Sequence, residues 1–203
     1  MSAMSLQQLK QIIEAALFVA ESPMTASDLQ QSVLAELSID DVQLNQALTE
    51  LEQEYQPRGV QLVQVASGYR FQTLSSLTPW LSRLWQEQAP RYSRAMLETL
   101  SLIAYRQPIT RGEIEDVRGV AVSSNIIRTL TERDWIQVVG HKEVPGKPAL
   151  YATTDAFLDY FSLQSLADLP STDLFVEQNV SEEMEESPLA DQPDSSDAET
   201  SQP

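Results

Sequence analysis

The sequence predicts a mainly α protein with small β-hairpin wings: tandem winged-helix domains followed by a disordered acidic C-terminal tail. Three observations predict it. Residues 97–150 run helix, turn, helix, turn, helix, strand, basic turn, strand, which is the order of a winged helix. A fainter copy of the first half of that pattern lies 85 positions upstream, where Leu17 matches Leu102, Pro23 matches Pro108, Thr25 matches Thr110, Asp28 matches Glu113 and Leu29 matches Ile114. Beyond Pro170 the composition turns to Ser, Glu, Asp and Pro, with no basic residue left. The expected divisions are an N-terminal winged helix over 1–76, a connecting helix or linker over 77–90, a C-terminal winged helix over 91–170 and the tail over 171–203.

The first helix is expected over 6–20, with Leu6, Leu9, Ile13, Ala16, Leu17 and Ala20 on the helical period. Ile12, Ala15, Phe18 and Val19 widen the apolar surface beyond one stripe. A helix apolar on two sides has to bury both. The second side is either more core or a homodimer contact, and these four residues are the candidates for that contact. Pro23 breaks the helix, and Thr25 with Asp28 caps the next one, with Leu29, Val33 and Leu37 facing inward. The third helix, over 39–56, turns Leu44, Ala47, Leu48, Leu51 and Tyr55 inward. Its other face carries Gln46, Thr49 and Gln53 beside Glu50, Glu52 and Glu54, with no Lys or Arg, which makes it a poor reader of a DNA groove. Strands over 60–66 and 69–73 flank Ser67-Gly68 as a hairpin. A connecting helix over 77–88 has Pro79 in its first turn. Its apolar face of Trp80, Leu81, Leu84 and Trp85 is suited to packing between domains, and Ala89-Pro90 marks the boundary.

The second half opens with a helix over 91–105 whose core stripe is Met96, Leu97, Leu100, Ile103 and Ala104. Thr110 and Glu113 form the next capping box. Glu113, Glu115 and Asp116 crowd one short helix, but acid–base chemistry needs a cleft and a substrate-facing partner, so a solvated face is expected. After Arg118-Gly119-Val120 the third helix starts near Ser123, with Ile126, Ile127 and Leu130 inward and Asn125, Arg128 and Glu132 outward. Strands over 136–140 and 149–153 enclose a stiff loop, 141–148, whose Lys142 and Lys147 form a candidate basic wing for phosphates or an acidic protein. Asp155 is expected to cap a last helix ending at Phe161, followed by a short segment over 165–169.

Composition narrows the function. The 203 residues contain no Cys and one His, His141, which excludes disulfide frameworks, thiol catalysis and Cys-ligated zinc and leaves little for a His-based metal site. No apolar run is long enough to span a bilayer and the N-terminus lacks signal-peptide features, so a soluble, cytoplasmic protein is expected, with no membrane contact. The net charge of −17 is uneven: −6 over 1–89, −1 over 90–170 and −10 over 171–203. Acidic segments repel phosphates and slow encounter with DNA, which leaves the second domain as the part able to meet nucleic acid. The tail has too few apolar residues to offset ordering costs of about 1–2 kcal/mol per residue.

The runs ETLSLIAYRQPITRGEIEDVRGV, IIRTL, VVGHKEVPGKPALYATTDAFLDYF and SLADLP, with IIEAALFVAESPMT near the start, resemble the segregation and condensation protein B family. That family is the accessory subunit of the bacterial condensin-like SMC complex, and the resemblance spans residues 6–170. It implies two winged helices, no enzymatic activity and no cofactor. It also implies a homodimer formed mainly by the N-terminal domain, which binds the kleisin, segregation and condensation protein A, and through it SMC. The role implied is chromosome condensation and partition during cell division, in the cytoplasm at the nucleoid. Tyr105, Arg106, Val120 and Arg128 are the candidate kleisin contacts, since Tyr and Arg are favoured interface anchors. Each has an equally good structural reading, Tyr105 as core and Arg106 as a charge at a helix C-terminus. A weak DNA contact within the complex stays open. The alternative is a winged-helix DNA-binding transcriptional regulator acting through the second domain; an enzyme has neither a nucleophile pattern nor a glycine-rich phosphate loop to stand on.

Overall fold

Ser5, Thr25 and Asp40 start the first three helices by the same device. Each side chain accepts the N–H of the residue three positions on, and that residue's side chain accepts the cap's own N–H. The helices are α1 (Leu6–Val19), α2 (Ala26–Gln31) and α3 (Asp41–Tyr55). The structure, a computed structural model, describes residues 4–84 and 92–171. Leu9, Ile13 and Leu17 of α1 meet Leu44, Ala47, Leu48 and Leu51 of α3, with Leu29, Leu34 and Leu62 closing the core. The expected stripe on α3 is present, with Tyr55 half-buried at its end. Val33, expected inward, is exposed, and Leu34 takes its place. The reason is that α2 ends at Gln31, so helical spacing no longer governs position 33, and the Leu34 N–H reaches back to the Leu29 carbonyl. Lys10 is 6% exposed, and its ammonium bonds Glu50 at 3.0 Å and Glu54 at 2.5 Å, tying α1 to α3.

The strands β1 (Val60–Val65) and β2 (Gly68–Thr73) pair antiparallel around Ala66-Ser67, with Val65 opposite Gly68. Met24 bridges to Tyr69 through two backbone bonds, 3.0 and 2.8 Å, which pins the hairpin to the entry of α2. The connecting helix expected over 77–88 is, as far as the described residues reach, three short pieces instead: a 3-10 turn (Ser75–Leu77), α4 (Thr78–Leu81) and a second 3-10 turn (Ser82–Leu84). Neither of the first two has a side-chain cap, and segments this short are not held by propensity alone. Trp80 is 63% exposed and Leu84 is also exposed, so the expected packing between domains is not made by these two. Trp85 and the Ala89-Pro90 boundary lie outside the described residues.

The second half repeats the plan. The helix α5 (Arg94–Arg106) begins at the Ser93 cap, three residues after the expected start, and Arg91 lies outside the described residues. Leu97, expected in the core stripe, is exposed; the buried place goes to Thr99, whose hydroxyl donates to the Ala95 carbonyl at 2.8 Å. A two-residue strand, β3 (Ile109–Thr110), follows the cis peptide between Gln107 and Pro108. Next come α6 (Arg111–Arg118), with the Thr110–Glu113 capping box and a left-handed Gly119 at its end, and α7 (Ser124–Glu132). The wing strands β4 (Ile136–His141) and β5 (Ala149–Thr153) pair antiparallel, and β3 adds to the other edge of β5, giving the order β3-β5-β4. The last helix, α8 (Asp155–Tyr160), is capped by Thr154, not by Asp155, which sits in its first turn. The Thr154 hydroxyl also donates to the Asp134 carbonyl. Trp135 is buried against Tyr92, Tyr160 and Phe161, which fixes α8 and the start of α5 to the wing. Short 3-10 geometry covers Leu166–Asp168 within the expected 165–169 segment. The expected acidic tail lies, from residue 172 on, outside the described residues.

Candidate partner-binding surfaces

The outer side of α1 carries all four candidate dimer residues, but three of them edge two separate hollows and Val19 lines neither. Ile12 and Ala15 line a groove of about 920 Å³ with Met4, Leu37 and Ile39. The groove exists because residues 36–39, between α2 and α3, run past α1 without filling the space beside it. Phe18 faces the other way. Its ring meets Phe71 of β2 at 6.5 Å, edge to face, and it lines a cleft of about 330 Å³ with Pro23, Arg70 and Phe71. Phe18 is 77% and Val19 79% exposed. Each such side chain leaves roughly 1.5–3 kcal/mol of burial unrealised. The acidic face of α3 is partly committed: Glu50 and Glu54 hold Lys10, and the Lys10 hydrogen bond lowers the Glu50 pKa.

In the second half, Arg106 is exposed at the end of α5 and lines a cleft of about 320 Å³ with Pro108, Ile109, Glu113, Asp116 and Val117. Tyr105 is half-buried one residue earlier. Val120 is exposed just past the end of α6. Arg128 is exposed on α7, donating to Asn125 at 2.6 Å and lying 3.6 Å from Glu132. Tyr105, Val120 and Arg128 do not line the Arg106 cleft, so the four candidates do not make one pocket. Val117, exposed on α6 and edging that cleft, was not singled out from the sequence. No helical spacing ties it to Val120, which follows the left-handed Gly119 beyond the end of α6.

The wing lysines both have acidic neighbours. Lys142 reaches Glu113 on α6 at 2.6 Å, and Lys147 lies 3.6 Å from Glu143. Glu113 also accepts the N–H and hydroxyl of Thr110. The Lys142 bond first, then these two, lower its pKa to about 2. The Val122 N–H, then Arg111, lower that of Glu115. Both carboxylates therefore serve as structural acceptors. Among the described residues no cluster of His, Asp or Glu is placed to hold a metal ion, and no helix is long and apolar enough to cross a membrane.

A sequence model of the family described as segregation and condensation complex subunit ScpB matches residues 11–172. The segregation and condensation protein B homolog of Coxiella burnetii is 57% identical over 161 residues, 79% of this chain and 77% of its own length. Segregation and condensation protein B of Syntrophotalea carbinolica is 42% identical over 172 residues, 84% of this chain and 85% of its own. A crystal structure of a dimer of the ScpB N-terminal domain complexed with ScpA peptide is 28% identical, covering 39% of this chain and 98% of that one, with a TM-score of 0.35.

Proposed function

The chain belongs to the ScpB family of segregation and condensation complex subunits, and from that premise we propose that it is a non-enzymatic adaptor of a condensin-like SMC–kleisin complex. It acts as a homodimer, binds the kleisin subunit, segregation and condensation protein A, and reaches SMC through it. Its work is chromosome condensation and partition during cell division, in the cytoplasm at the nucleoid. The observation that carries this reading is the family match over 11–172, which takes in both helical repeats.

The dimer contact falls on the outer side of α1, where Phe18 and Val19 stand in solvent and Ile12 and Ala15 open onto a groove. An exposed Phe–Val pair at the end of one helix is what an interface between two chains leaves on one of them. The kleisin contact falls on the second winged helix, at the Arg106 cleft that Val117 also lines, with Tyr105, Val120 and Arg128 as further candidates outside that cleft. This division of labour follows the proposed domains, 1–76 and 91–170, joined by 77–90. Any DNA contact made inside the complex belongs to the second domain, whose charge is −1 against −6 for residues 1–89.

Light scattering tests both claims. The protein alone should show the mass of two chains, and mixing with the kleisin should give a larger co-eluting species. Arg106→Glu together with Val120→Asp should leave the dimer intact and weaken kleisin binding by at least about tenfold, the scale of an interface anchor. A monomer that never co-elutes with the kleisin would overturn the proposal.

A further inference from the structure

A hairpin turn leaves backbone N–H groups outside the strand ladder, free to reach a partner. In the first repeat that turn is already engaged, by the end of α8. The Ala66 N–H donates to the Leu163 carbonyl at 3.0 Å. The Ser67 N–H donates to the Asp159 carboxylate at 3.0 Å. From β2, the Arg70 guanidinium donates to the Asp159 carbonyl at 2.7 Å and to the Ser162 hydroxyl at 3.3 Å. The Ser162 hydroxyl donates in turn to the Gln72 side chain at 3.1 Å.

The chemistry of the two sides is complementary. The hairpin supplies mainly N–H donors and a guanidinium. The end of α8 supplies a carboxylate, a hydroxyl and two carbonyls, at a helix C-terminus that carries partial negative charge. Ser162 holds a positive φ of 57°, which turns the chain so that Leu163 can face the hairpin. Val65, next to the turn, is 2% exposed yet stands outside the core cluster of the first repeat. Arg70 makes no ion pair with a described residue, and its Nε is buried without a partner. The contact is made by polar groups, each of which can exchange its partner for water. Without this contact, relative motion of two domains is the default.

We propose that this contact is a latch: Arg70 and Asp159 hold the two winged helices as one body in the free protein, and breaking them releases the second domain from the first. The latch uses surfaces apart from the Arg106 cleft, while Arg70 also edges the cleft beside Phe18. It is tested on the chain alone, so its failure and a failure of the kleisin proposal are distinguishable.

The chain has no Cys, so two introduced at exposed positions, Ala35→Cys and Gln137→Cys, take spin labels without competition. The labelled chain is diluted into excess unlabelled chain, so that distances arise only within one molecule. Pulsed dipolar spectroscopy should give one narrow distance in the wild-type background. Arg70→Ala with Asp159→Ala should broaden and lengthen it. Hydrogen exchange gives the local readout: the Ala66 and Ser67 amides should be protected in the wild type and exchange at least about tenfold faster in the double variant, the loss of one charge-assisted bond. Amides of the β1–β2 and β4–β5 ladders, still protected, would show that both repeats remain folded. A broad distance in the wild type, unprotected Ala66 and Ser67 amides, or an unchanged distance in a folded double variant would each overturn the latch.

Discussion

Gly68 is held by a clash that any side chain would create. Its φ is +124°, and a Cβ there would lie 2.3 Å from the Met24 carbonyl group and 2.5 Å from the Thr25 nitrogen. Those atoms are backbone, fixed by the Met24–Tyr69 bridge, so they cannot move aside cheaply. Gly68→Ala should destabilise the protein by about 2–4 kcal/mol, combining backbone strain with a broken bridge, and a urea titration measures it. Glu113 gives the residue scale a pH dependence. Its folded pKa of about 2 lies below the ordinary glutamate value of 4.5, because Lys142 and Thr110 stabilise the ionised form. The unfolded chain therefore binds the proton first as pH falls. The stabilisation is complete above a pH of 4.5 and is lost progressively as the pH falls to about 2. Glu113→Gln should lower stability at neutral pH and flatten the decline over that acid range, as read by denaturant titrations at a series of pH values. An acid limb unchanged in the variant would assign the dependence to other carboxylates.

Among the elements, α1 shows most clearly what a sequence reveals and what it hides. Its surplus apolar surface was legible, because Phe18 and Val19 fall off the Leu9–Ile13–Leu17 stripe whatever the tertiary structure. The burial of Lys10 was not, since a charged residue goes inside only when paired, and its partners lie 40 and 44 residues away on α3. Helix starts were legible at Thr25–Asp28 and Thr110–Glu113, where the cap and its partner sit three apart, but the same device at Asp40–Gln43 was passed over and that helix was expected from 39. At Thr154–Asp155 two capping residues adjoin, and the choice depended on Thr154 also bonding Asp134 across the fold. The strand β3 is two residues long and owes its existence to β5, so no local alternation announces it. The hairpin contact with α8 was invisible for the same reason, being made largely by backbone groups far apart in sequence. The surplus on α1 carries its own prediction. Phe18→Asp with Val19→Asp should leave circular dichroism unchanged, because both side chains are already in solvent. The scattering mass should halve at working concentrations. A variant that stays dimeric would move the interface to the groove of Ile12, Ala15 and Leu37.

At the scale of the whole molecule the decisive quantity is where positive charge remains uncompensated. The chain carries 13 basic and 30 acidic residues. In the second winged helix, where the deficit nearly vanishes, the cations are largely spent: Arg94 and Arg118 on Glu98, Arg111 on Glu115, Arg128 on Glu132, Lys142 on Glu113 and Lys147 on Glu143. Arg133 lies over the Tyr92 and Trp135 rings. A surface like this can neutralise only one or two phosphates without first giving up internal partners. Counterion release then gives a logarithmic salt slope of about −1 to −2, against about −10 for a strong DNA binder. Anisotropy of a labelled duplex should therefore change little on adding the protein near physiological salt, and any binding at low salt should weaken only gently as salt rises. A slope steeper than about −5 would mean that the ion pairs on α6, α7 and the wing open to phosphates, and it would make the regulator reading the better one. A shallow slope together with tight kleisin association would assign these pairs to holding the second domain's shape, leaving Arg106, among the described residues, as a cation offered to a protein partner.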